Sequence, residues 1–155
     1  MPHSDVLDQM ICQDQVNLES SPGVPEPRFR QLTSSDVPAM LELAKLTEPG
    51  PFNRRTMDLG IFFGIFDSGH LLAMAGQRLH LPQFVEVSAV CTHPDARGRG
   101  YVRTLMTKVM GDIWHRGKTP FLHVRSSNLR AIHVYESLGF TLRRKIHFAM
   151  LKSDG

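Results

Sequence analysis

The stretch FVEVSAVCTHPDARGRGYVRTLMTKVMGDI (84–113) constrains the fold more than any other part of the chain. Its first nine residues are rich in β-branched residues and nearly all small or apolar, a strand pattern. From Gly100 onward Val102, Leu105, Met106, Val109 and Ile113 recur at helical spacing, and Gly117 supplies a stop. Beyond it PFLHVRS (120–126) reads as a second strand. Strand, helix and strand in this order predict a parallel pair joined by a right-handed crossover. Between the first strand and the helix lies a turn rich in glycine and arginine. Gly98 and Gly100 permit positive φ and close approach of the backbone. Free N–H groups and the positive end of the helix dipole favour an anion there. Arg97, Arg99 and Arg103 add charge. A pyrophosphate suits a local, concave nest better than a nucleic-acid backbone does. The same residues also fit an ordinary strand-to-helix turn with solvated arginines. Neither a Walker loop (G-x-x-x-x-G-K-S/T) nor a G-x-G-x-x-G dinucleotide fingerprint is present.

The rest of the chain surrounds this unit with short elements. DQMICQDQV (8–16) is a strand or a tail, and SSPGVPEPR (20–28) reads as a linker. We therefore expect residues 1–27 to be an N-terminal strand or tail plus a Pro-rich linker, and residues 28–155 to be one domain. FRQL (29–32) is a short strand. The segment from Thr33 opens a helix with Ser34 or Ser35 as cap, Pro38 in the first turn and Val37, Met40, Leu41 and Ala44 as its apolar stripe. Residues 47–56 form a loop or broken helix. Residues 60–82 read as a β-hairpin turning at Asp67-Ser68-Gly69. Asn128 can cap a helix whose inner face is Ala131, Val134, Tyr135 and Leu138, closed by Gly139. FTLRRKIHFAML (140–151) supplies one or two strands, and its RRK reads as a protective, solvated edge.

Composition narrows the partners. The chain has 155 residues and a formal charge of +3, with 41% hydrophobic and 21% charged residues, ordinary values for a globular domain. Cys12 and Cys91 stand far apart in no metal or redox spacing, and none of the 8 histidines forms an H-E-x-x-H pair. No metal, disulfide framework, signal peptide or membrane span is expected, and the chain reads as cytoplasmic. Basic residues concentrate at one turn without a recognition helix or a stacking array, so nucleic acid is not expected as a partner. The oligomeric state is not fixed by the sequence, and a homodimer is compatible with it.

SAVCTHPDARGRGYVRTLM (88–106) resembles motif A of the GNAT superfamily, the acyl-CoA-dependent N-acyltransferases. Its signature Gln/Arg-x-x-Gly-x-Gly/Ala is met by Arg97 and Gly100 in the run Arg97, Gly98, Arg99, Gly100, Tyr101, Val102. NLRAIHVYESLGF (128–140) resembles motif B of the same superfamily. SAVCTHP and TPFLHV further resemble the subfamily of glycine N-acyltransferase-like C-terminal domains. One departure stands out: Val102 occupies the Gly/Ala position, where a β-branched side chain keeps helix and strand apart or crowds the phosphates.

The resemblance implies a mixed α/β fold of the α+β kind. It has a central, mostly antiparallel sheet with one splayed parallel strand pair, flanked by helices. It implies acetyl-CoA as cofactor, lying between strands 84–92 and 120–125. The pyrophosphate would sit on the amides of Gly98 to Arg103. The pantetheine arm would pair with Val90, Cys91 and Thr92 as an added strand does. A bulge near Ala89 and Val90 would aim one N–H at the thioester carbonyl. An acceptor amine, with a pKa of about 10.4 when free, must lose a proton before it attacks. Glu86 is the candidate base, through water, and Tyr135 the candidate acid for the departing thiolate. Asn128 would hold the pantetheine or order its own turn. Cys91 reads as structural, with direct transfer to the amine, and His123 and His133 are weaker acid–base alternatives. On the acceptor side, loop 47–57 offers Phe52 to shape the site and Arg54 or Arg55 to hold a carboxylate. The acceptor is a small-molecule or peptide amine. A catalytically silent acyl-CoA sensor is the alternative function.

Overall fold

The computed structural model describes residues 3–15, 28–47 and 52–150. Most of the linker 20–28 and residues 48–51 of the acceptor loop lie outside the described residues. Among the described residues there are seven strands and three α-helices, and no helix is long and apolar enough to cross a membrane. The chain divides into two compact units, residues 1–16 with 121–155, and residues 17–120. The boundary expected at residue 27 is therefore not where the contacts divide. The cause is the first strand, which is built into the C-terminal unit.

Residues 17–120 contain β2 (Phe29–Gln31), α1 (Val37–Thr47), β3 (Phe62–Asp67), β4 (His70–His80), β5 (Phe84–Thr92) and α2 (Tyr101–His115). The strands pair antiparallel in the order β2-β3-β4-β5. The hairpin of β3 and β4 turns at Ser68 and Gly69, both with positive φ (50° and 78°), the pairing of angles a tight two-residue turn requires. The period of two places Phe62 and Met74 on one face and Phe63, Ala73 and Ala75 on the other. Met40, Leu43 and Ala44 of α1 join Phe62, Met74, Ala89 and Cys91 in one core cluster. Leu105, Met106, Val109, Met110 and Ile113 of α2 are buried too, and the Lys108 ammonium lies 5.8 Å from the centre of the Phe63 ring.

Two local expectations change. The cap of the first helical turn is Thr33, not Ser34 or Ser35: its N–H donates to Asp36 Oδ2 at 2.8 Å. Asp36 is fixed in turn by a bidentate pair with Arg30, 2.8 Å on each oxygen. The buried stripe of α1 then runs Met40, Leu43, Ala44, while Val37 and Leu41 are only half-buried.

The other unit holds β1 (His3–Ile11), β6 (Thr119–Arg125, whose first two residues belong to the larger unit), α3 (Leu129–Ser137) and β7 (Thr141–Met150). β1 lies between β6 and β7 and pairs antiparallel with both. The N-terminal segment is thus a central strand, and residues 141–150 form one strand. Asn128 caps α3, its Oδ1 accepting from Ala131 N–H at 3.2 Å. Gly139, at φ 102°, closes the helix.

Candidate functional site

Two irregularities shape β5. Met74 pairs with Cys91 and Gly76 with Ser88, so Ala89 and Val90 together oppose Ala75. This is a bulge, and Ala89 carries its strain with a φ of 56°. A second bulge lies on β4, where Arg78 and Leu79 sit between the pairs Gln77–Val87 and His80–Val85. Arg78 stands there opposite Glu86. The Arg78 Nε and Nη2 donate to Glu86 Oε1 and Oε2 at 2.7 and 2.9 Å. Glu86 is 1% exposed, so this fork is what makes a buried carboxylate tolerable.

β5 leads into the turn expected to hold phosphates. His93 N–H donates to Leu72 O at 2.6 Å, and Asp95 N–H to His93 Nδ1 at 3.1 Å. Gly98 and Gly100 then adopt φ 81° and 76°. A Cβ on Gly98 would meet nothing within 4 Å, so backbone angle and not crowding requires glycine there. Thr104 N–H is the first of α2 to reach a carbonyl, that of Gly100 at 3.1 Å. The N–H groups of Tyr101, Val102 and Arg103 precede it and have no intrahelical acceptor. Arg97 and Arg99 are exposed, while Val102 and Arg103 are half-buried.

Arg28 anchors this turn. Its Nη2 donates to the Tyr101 hydroxyl at 3.0 Å and its Nε to Phe66 O at 3.3 Å. The Tyr101 side chain is buried and committed. Thr92, between bulge and turn in sequence, has a buried Oγ1 with no hydrogen-bond partner among the described residues. A buried hydroxyl left unpaired is costly, and an incoming ligand amide or hydroxyl relieves it. These features fit the pyrophosphate and pantetheine portions of coenzyme A.

Burial pushes the Cys91 thiol up to about 11, so it is a thiol rather than a thiolate at neutral pH. Phe52 is half-buried against the α1–β5 core, edge-on to Phe62 with ring centres 6.3 Å apart. Arg54 and Arg55 sit on an exposed turn closed by Asn53, whose Oδ1 accepts from Arg55 N–H at 2.9 Å. Arg55 also lies 3.8 Å from Asp58. In the other unit Tyr135 is 9% exposed and edge-on to Phe140, with ring centres 6.1 Å apart. Asn128 and Tyr135 lie on one helix, seven residues apart, so they share a face. His123 Nε2 is 3.1 Å from Gln9 Nε2. The sequence reading missed Arg28 and Arg78. Arg28 sat at the end of a presumed linker. The signal for Arg78 was available: it and Glu86 are opposite charges on consecutive strands.

The comparisons with known proteins agree with this geometry. A family model described as FR47-like protein matches residues 62–149, more than half of the chain. The chain belongs to the FR47-like family. It has the mixed α/β GNAT fold, and the relatives described next are named as acetyltransferases. The ribosomal protein bS18-alanine N-acetyltransferase of Escherichia coli is 28% identical over 125 residues, covering 75% of this chain and 84% of that enzyme. A solved E. coli structure of a ribosomal-protein bS18-alanine N-acetyltransferase has a TM-score of 0.63 at 26% identity, over 72% of this chain and 75% of that one. A solved Novosphingobium aromaticivorans chain, described as a GNAT-family acetyltransferase, has a TM-score of 0.84 at 42% identity. That match covers 94% of this chain and 63% of the other, so this chain spans less than two thirds of that relative's length.

Proposed function

We propose that this chain moves an acetyl group from acetyl-CoA to a primary amine by direct attack, with both substrates bound together. One observation carries the reading: a strand bulged at Ala89–Val90 runs through an unpaired Thr92 hydroxyl into a turn with two left-handed glycines and open N–H groups. Acetyl-CoA supplies an activated thioester when bound. The amides of Gly98, Arg99, Gly100, Tyr101, Val102 and Arg103 hold the phosphates, with Arg97 adding charge. The main chain of Val90, Cys91 and Thr92 pairs with the pantetheine arm, and a bulge N–H is the donor for the thioester oxygen. Asn128 assists at the pantetheine.

Glu86 takes the proton of the amine through water, and Tyr135 returns one to the departing sulfur. Phe52, Arg54 and Arg55 line the acceptor side. The bS18-alanine relatives support a peptide amine over a free small molecule, with the α-amino group of alanine as the first acceptor to try. The kinship with glycine N-acyltransferase-like domains rests on SAVCTHP and TPFLHV and keeps a small carboxylated amine as the second. A cytoplasmic location belongs to the same reading.

The second reading, a silent acyl-CoA sensor, is favoured by the fork of Arg78 on both oxygens of Glu86. Two measurements separate them. Acetyl-CoA at about 100 times its Kd stabilises a binding-competent fold by about 2.7 kcal/mol, visible as a raised Tm in either case. Thiol release with a panel of alanine-initiated peptides and small amines occurs only in the enzyme. No shift in Tm removes the cofactor site; a shift without thiol release leaves the sensor.

A further inference from the structure

The N-terminal strand does more than fill the sheet of its unit. Asp8 is 6% exposed and its Oδ1 accepts two hydrogen bonds, from Ser126 Oγ at 2.5 Å and from Lys145 Nζ at 3.1 Å. Ser126 is also held by its main chain, its N–H donating to Val6 O at 2.9 Å. Two residues later Asn128 donates its N–H to Arg125 O at 2.9 Å and caps α3. The turn that starts α3 is thus gripped at Ser126, by side chain and backbone, from one strand.

We infer that Asp8 is a positioning residue for acetyl transfer, fixing through the Ser126 hydroxyl the turn that sets Asn128 and the axis of α3. The inference rests on the proposed roles of Asn128 and Tyr135. Tyr135 stands about 10 Å up the helix from Asn128. A tilt of about 6° at the turn moves a group at that distance by about 1 Å, an error that reacting groups tolerate poorly. A carboxylate is costly to bury, and a neutral acceptor would serve packing alone. An ionised one gives a shorter, stronger bond to the hydroxyl. Lys145, 57% exposed on β7, offsets the charge without touching the turn.

The test uses the full chain, acetyl-CoA and the best acceptor of the amine panel. Ser126→Ala should lower kcat about tenfold, and Ser126→Thr, which keeps the hydroxyl, should restore it. Lys145→Ala removes the other partner of the same carboxylate and should leave kcat within about twofold of wild type even where Tm falls. Wild-type kinetics in Ser126→Ala overturns the inference and leaves the proposed function standing. Equal losses of kcat in Ser126→Ala and Lys145→Ala, in step with Tm, also overturn it, because the cluster is then structural only. A wild-type chain that neither binds acetyl-CoA nor releases thiol overturns both.

Discussion

Arg78 grips Glu86 with two parallel hydrogen bonds of 2.7 and 2.9 Å across a bulge in β4. The carboxylate is buried while the guanidinium keeps 38% of its side chain exposed. A base in this position works only while the fork holds one geometry. Glu86→Gln should lower kcat by about a hundredfold with a small change in the KM for acetyl-CoA. Arg78→Ala should be the more destabilising, because it leaves a buried charge unpaired. Turnover with pH and thermal melts of both variants check this. An unchanged kcat in folded Glu86→Gln reduces Glu86 to Arg78's structural partner.

The left-handed turn makes its own claim. Gly98 and Gly100 stand at φ 81° and 76°, where a β-branched residue is strongly disfavoured. Arg97→Ala combined with Gly100→Val should abolish the rise in Tm that acetyl-CoA gives. The comparison is made at equal ligand excess, against each protein's own ligand-free melt.

Tyr135 packs edge-on to Phe140, and Tyr135→Phe preserves that contact. The variant should fold with nearly wild-type Tm, bind acetyl-CoA with nearly wild-type affinity, and turn over roughly ten- to a hundredfold more slowly. Steady-state kinetics with a ligand titration separates the two quantities. Equal turnover would make the hydroxyl a packing feature.

Burial holds both cysteine thiols near 11. In the native chain iodoacetamide at pH 7.4 should label neither quickly, and the treated protein should keep its turnover. Cys91→Ala should retain activity, with a modest loss of Tm from the missing sulfur. A covalent acetyl group on Cys91, detected by mass spectrometry during turnover, would replace direct attack with a two-step route.

The Arg30 fork and the Thr33 N–H depress the Asp36 carboxyl to about 2 from 3.8. A depressed acid stabilises the fold above its unfolded pKa and loses that effect as pH falls through the folded value. The contribution is therefore full above pH 4 and fades between about 4 and 2. Asp36→Asn should cost about 1–2 kcal/mol at pH 7, discounted for the half-exposed Arg30, and almost nothing near pH 2. Urea unfolding at both pH values tests the difference.

The parts legible in the sequence are those set by neighbours along the chain. The Ser68–Gly69 turn, the stripe of α2 with its Gly117 stop, and the Asn128 cap are local patterns, and each has the expected form. Motif resemblance located the β5 bulge, which periodicity alone does not reveal. What stayed hidden depends on partners far away. The strand at residues 3–11 does not announce which strands it joins. Arg78 stands opposite Glu86 by plain continuation of the Gly76–Ser88 and Gln77–Val87 register, and what the sequence hid is the β4 bulge that follows. Thr33 took the cap from Ser34 and Ser35 because Arg30 had already fixed Asp36.

Threading β1 between β6 and β7 has a consequence for biosynthesis. His3 pairs with Met150 and Ile11 with Thr141, so β1 is made well before the strands that complete it on both sides. Loop closure over such a separation is slow. Until β6 and β7 have been made, β1 must travel with both of its edges unsatisfied.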